Sequence, residues 1–120
     1  MLPKIVSKGD NPVTSKQPQD RFITVNGLRL HYVEWGSQDL QPIILLHGGM
    51  AHARVWDNFA QAAQSLYRVL SVDQRGHGDS DRADDYSGQQ HVSDVASLIK
   101  QLDLNRPILM GHSMGGRYVI

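Results

Sequence analysis

The apolar run PILM at residues 107–110 passes without a break into Gly111, His112, Ser113, Met114 and Gly115, and then into GRYVI. A glycine-x-serine-x-glycine sequence between a strand and a helix forces a turn so tight that the central serine projects from its apex. Gly111 and Gly115 are required there because side chains would meet neighbouring backbone. The amide of Met114, first in the following helix, can donate to an anion, helped by the positive end of the helix dipole. The segment therefore demands a strand that ends in a crowded loop and a helix that starts at once.

Other stretches supply the partners such a strand needs. Residues 21–35 (RFITVNGLRLHYVEW) form two β-branched and aromatic runs around Asn26 and Gly27, the strongest short-range signal for an antiparallel hairpin. PIILL from Pro42, YRVLSV from Tyr67 and PILM from Pro107 are apolar runs without alternation, as expected of strands covered on both faces. Between them, WDNFAQAAQSL puts Trp56, Phe59, Ala60, Ala63 and Leu66 on one helical face. HVSDVASLIKQL repeats Val92, Val95, Ala96, Ile99 and Leu102 at helical spacing, with Ser87 and Gln90 forming a capping-box pattern in front. Strands alternating with crossover helices predict the α/β class: a mostly parallel sheet with flanking helices, preceded by a β-hairpin.

Composition excludes several functions. Lys and Arg number 12 and so do Asp and Glu, so no basic excess exists to bind nucleic acid or an anionic membrane. The absence of cysteine removes disulfides, thiolate metal sites and a cysteine nucleophile. No apolar run approaches the roughly 20 residues of a membrane span, and no signal peptide opens the chain. A soluble, cytoplasmic protein acting on a small molecule is the expectation. Residues 1–20, with Pro3, Pro12 and Pro18 and no aromatic, read as a flexible tail, leaving 21–120 as the folded portion.

Two further loops bear on chemistry. LLHGG at 45–49 closes the first buried strand, and Gly48 and Gly49 let backbone N–H groups approach a ligand, as stabilising an oxyanion requires. VDQRGHGDSD at 72–81 follows the second, and there Asp73 and Arg75 read as a pair that holds a loop bordering the site.

Taken in this order, LLHGG, VDQRGHGDSDR and ILMGHSMGG closely resemble the α/β-hydrolase superfamily, in the branch of small esterases, lactonases, carbon–carbon bond hydrolases and cofactor-free haloperoxidases. The resemblance runs over roughly residues 21–120. It implies Ser113 as nucleophile, the amides of Gly49 and Met114 as oxyanion hole, a loop-shaping role for His47, and no cofactor. Members with Asp at the elbow, such as epoxide hydrolases and haloalkane dehalogenases, alkylate that carboxylate, and serine argues against both.

The resemblance also implies an acid and a histidine later in the chain than the nucleophile. Only MGGRYVI follows Ser113, and it holds neither. Among the earlier histidines, His31 lies in a hairpin strand, His77 in the RGHG turn, His91 at a helix start and His112 on the opposite side of the strand end from Ser113. His52 alone sits near the pocket mouth. No histidine pair has metal-ligand spacing backed by a third ligand, so no metal is expected.

The reading is thus the N-terminal half of an α/β-hydrolase fold, truncated in the helix after the elbow. Its PILM strand would keep an uncovered edge through which copies could associate. The function implied is hydrolysis of an ester, lactone or related acyl compound through an acyl-enzyme, with little turnover by this chain alone. The alternative is a non-catalytic α/β-hydrolase-like binding module.

Overall fold

The computed structural model describes residues 17–113 and residue 115. The first expectation met is the hairpin. Strand β1 (Gln19–Val25) pairs antiparallel with β2 (Leu28–Trp35), and Val25 lies opposite Leu28. The turn residues Asn26 and Gly27 have φ of 51° and 77°, the doubly left-handed geometry whose twist matches that of the strands it joins. The strand begins at Gln19, so Asp20 belongs to the sheet and not to a tail ending at residue 20; most of the expected tail, residues 1–16, lies outside the described residues.

Beyond the hairpin come β3 (Gln41–Leu46), a 3₁₀ turn (Ala53–Trp56), α1 (Asp57–Ala63), β4 (Tyr67–Val72), α2 (Gly88–Gln101) and β5 (Ile108–Gly111). Among the described residues these strands form one sheet of order β1-β2-β4-β3-β5. β2 meets β4 antiparallel, whereas β4 and β5 both lie parallel to β3. The first crossover from β3 leads to one side of it and the second leads to the other. The chain direction thus splits at the carboxyl end of β3, the position where open α/β sheets leave a crevice for ligands.

Alternation along the strands divides the core in two. Ile44, Leu46, Leu70 and Val72 face α2 and pack with Val95, Leu98 and Leu104. Ile43, Leu45 and Val69 face the other side, where Val33, Trp35, Ala53 and Ala60 join them. Neighbouring strand residues point to opposite faces, and with both faces covered the buried positions of β3 and β4 are apolar except Ser71, whose hydroxyl donates to Ala53 O at 2.8 Å, which is why these runs show no alternation. Helix α2 ends in a Schellman arrangement: Leu104 N–H reaches Ile99 O at 3.0 Å and Asp103 N–H reaches Lys100 O at 3.2 Å, with Asp103 at φ 53°.

Three local expectations fail for tertiary reasons. The first helix is a 3₁₀ turn followed by a short α-helix, and Leu66 and Phe59 are exposed while Ala60 is buried. Ala53, at the head of this segment, is tied to the sheet through Asp73 and Ser71. The buried face of α2 is His91, Asp94, Val95 and Leu98, whereas Val92 and Ala96 point to solvent. The helix is turned about its axis so that Asp94 can reach a buried arginine. The capping box does not form: Asp85 accepts the Ser87 N–H at 2.8 Å, and Gln90 Oε1 lies 3.4 Å from Arg75. No helix among the described residues is long and apolar enough to cross a membrane.

Candidate active site

The elbow closes the end of β5. Ser113 has φ 55°, a left-handed conformation that costs a non-glycine residue about 1–2 kcal/mol, and its side chain is exposed. The turn is closed by Gly115 N–H on His112 O at 3.0 Å. A Cβ on Gly115 would lie 2.3 Å from Leu46 O and 2.7 Å from His47 O, so only glycine lets the turn press on the end of β3. Gly111 is the last residue of β5, opposite Leu46. Met114 lies outside the described residues.

The loop after β3 abuts this elbow. A Cβ on Gly48 would stand 3.3 Å from both the Ser113 Cβ and the His112 ring. The Gly48 carbonyl accepts the Ala51 N–H at 3.3 Å, closing a turn in which Met50 takes φ 62°. The N–H of Gly49 donates to no acceptor among the described residues. His47, fully buried, sends Nδ1 to Gly48 O at 2.7 Å and receives the Gln74 N–H on Nε2 at 3.0 Å. Burial holds its pKa below the ordinary histidine value, so the ring is neutral, with its proton on Nδ1.

Asp73 and Arg75 do not pair with each other. Asp73 leaves the end of β4 and accepts from Ala53 N–H at 2.7 Å, Asp79 N–H at 2.9 Å and His31 Nδ1 at 2.7 Å. Burial alone would raise its pKa, but the two backbone donors and His31 outweigh that and hold the carboxylate below its usual range. Arg75 instead forks onto Asp94 of α2, with Nε at 2.7 Å from Oδ2 and Nη2 at 2.8 Å from Oδ1. Each is tied to a partner distant in sequence, Asp73 to His31 and Arg75 to Asp94.

His31 is the center of a third feature. Its ring is buried between Asp73 on Nδ1 and Asp20 on Nε2, both at 2.7 Å. Burial lowers its proton affinity, yet hydrogen bonds and charge from Asp20 and Asp73 more than offset this, and its pKa is raised. His31, Asp73 and Asp79 place ligand-type atoms within 4.8 Å of one another, a cluster that spacing in sequence does not reveal. Hydrogen bonds already engage both ring nitrogens of His31 and both oxygens of Asp73, with Asp20 on His31 Nε2 and the Ala53 N–H on Asp73 Oδ1. His52 caps the 3₁₀ turn, accepting Arg54 N–H at 3.2 Å, and His77 bonds the Arg75 carbonyl at 2.9 Å.

A glycine-bounded serine elbow at the end of one parallel strand thus touches a glycine loop at the end of its neighbour, across the switch point of the sheet. A family model described as the alpha/beta hydrolase family matches residues 43–120. The chain belongs to the α/β-hydrolase family. Within it, the chain is 38% identical over 102 residues to a non-heme chloroperoxidase of Streptomyces lividans, covering 80% of this chain and 37% of that protein. It is 31% identical over 99 residues to epoxide hydrolase 1 of Caenorhabditis elegans, covering 80% of this chain and 24% of that one. Epoxide hydrolase A of Mycobacterium thermoresistibile superposes with a TM-score of 0.81 at 28% identity, over 86% of this chain and 34% of its own. An α/β hydrolase of Novosphingobium aromaticivorans gives 0.78 at 34% identity, over 84% and 37%. The chain therefore spans well under half the length of these relatives.

Proposed function

We propose that this α/β-hydrolase segment carries the nucleophile and oxyanion loop of a serine hydrolase that cleaves an ester, lactone or related acyl compound. The observation that carries the reading is Ser113 itself, left-handed and exposed at the elbow, with Gly48 packed against its Cβ. In this reading Ser113 Oγ attacks the acyl carbon and gives its proton to a base. Negative charge collects on the carbonyl oxygen, which the N–H groups of Gly49 and Met114 receive. The alcohol leaves with a proton, and water then cleaves the acyl-enzyme and restores Ser113. Water is the only co-reactant, so the reaction needs no cofactor.

The base and its carboxylate partner come from outside the described residues in this proposal. His31, His47, His52 and His77 are each bonded to groups other than Ser113. Similarity to epoxide hydrolases extends over the fold, but a serine at the elbow favours acyl chemistry over attack by a carboxylate.

A fluorophosphonate probe tests the assignment. Incubated with the intact protein that contains this segment, it is expected to modify the peptide bearing Ser113, and Ser113→Ala is expected to abolish both labelling and ester hydrolysis. A folded sample that is unlabelled at Ser113 refutes the proposal.

A further inference from the structure

An oxyanion donor works only if its peptide plane is held before the charge develops. The loop that offers Gly49 is poorly suited to hold itself, because a Gly-Gly pair is the most permissive backbone available. Within the loop the Gly48 carbonyl is held by the Ala51 N–H at 3.3 Å, and a tighter restraint comes from a neighbouring strand end. In a trans peptide the C=O and N–H of one plane point in opposite directions, so whatever fixes Gly48 O also fixes the Gly49 N–H. That carbonyl is bonded by His47 Nδ1 at 2.7 Å. His47 is in turn gripped twice by Gln74, the second residue after β4: the Gln74 backbone N–H meets Nε2 at 3.0 Å, and its side-chain Nε2 donates to His47 O at 2.7 Å. The first bond leaves Nε2 as acceptor and Nδ1 as donor, and the second stops the preceding peptide plane from turning.

Gln74 is only 4% exposed, and its Oε1 is buried with no partner among the described residues. An orphaned buried acceptor costs about 1–3 kcal/mol. An apolar side chain of similar length would remove that orphan but strand the buried His47 carbonyl that Gln74 Nε2 meets at 2.7 Å, so the amide is retained for what its donor half holds. We infer that Gln74 is a positioning residue for the oxyanion loop, acting through His47 to aim the Gly49 N–H. The inference rests on the serine-hydrolase reading of Ser113 and adds a residue from the loop after β4 to it.

Gln74→Met keeps the length and removes the side-chain donor, and Gln74→Asn keeps an amide that is one methylene too short to reach. Both are measured in the intact protein with an activated ester and with a trifluoromethyl ketone, which forms an oxyanion on the serine. For either variant kcat is expected to fall about tenfold, the scale of one lost hydrogen bond, while KM stays within about twofold. Affinity for the ketone is expected to fall by the same factor as kcat, and the Gln74→Met melting temperature to change little, because one orphaned acceptor, Gln74 Oε1, is exchanged for another, the His47 carbonyl. Unchanged kcat and ketone affinity in a variant that folds overturn the role of Gln74, as does a loss in melting temperature alone. Failure of the fluorophosphonate to label Ser113 in the unsubstituted protein overturns the hydrolase reading and this inference with it, so the two failures are distinguishable.

Discussion

Replacing Asp94 by Leu is expected to destabilise the protein by about 3–5 kcal/mol, the cost of stranding a buried charge. Arg75 and Asp94 side chains are 4% and 6% exposed, and the pair is bidentate at 2.7 and 2.8 Å. After the substitution the guanidinium keeps only the Asp85 carbonyl at 2.7 Å and the weak contact to Gln90 at 3.4 Å. Arg75→Met leaves the Asp94 carboxylate with Asn26 Nδ2 at 2.8 Å, and is likewise expected to destabilise. The double variant Arg75→Met with Asp94→Leu removes both charges and fills their space with apolar atoms. It is expected within about 1 kcal/mol of the starting protein, so the two changes couple at or above the top of the roughly 0.5–3 kcal/mol range for contacting residues. Urea unfolding of the intact protein, followed by tryptophan fluorescence and extrapolated linearly, measures all four corners of the cycle. Additive losses, with the double variant less stable than either single one, refute the claim that this pair sets the rotation of α2.

Two further outcomes follow from the geometry. His31 binds its proton more tightly when folded than at its reference value of 6.5, so the stability it contributes is complete below that value and is lost as pH rises through the raised native one. A ring-proton NMR titration should place its midpoint above 6.5 and lower in Asp20→Asn, and a native midpoint at or below 6.5 contradicts the assignment. Gly27→Ala and Gly36→Ala both put a side chain at positive φ, but nothing lies within 4 Å of the first whereas the second meets Tyr67 O at 2.3 Å. The first should cost about 1–2 kcal/mol of backbone strain and the second clearly more; equal losses of denaturation midpoint would show that the close approach is not what matters.

Features governed by neighbours in the chain were legible in the sequence. Asn26 and Gly27 announce their turn because few residues adopt positive φ, and unbroken apolar strands announce a sheet covered on both sides. Gly111, Ser113 and Gly115 announce an elbow because a tight strand-to-helix turn excludes other residues. Partnership between distant charges was not legible. Asp73 and Arg75 lie two residues apart and look like a pair, yet one answers to His31 and the other to Asp94, because a buried charge takes whichever counter-charge the packed elements bring within about 3 Å. The same demand turned α2 away from its apolar stripe and withdrew Gln90 from the expected cap. Gln74 lies within VDQRGHGDSD but nothing there singles it out, and its grip on His47 exists only where the ends of β3 and β4 lie side by side. The sequence by itself determined the order of elements and the serine at the apex; tertiary structure alone decided which polar groups meet, because those meetings depend on distances that no local rule contains.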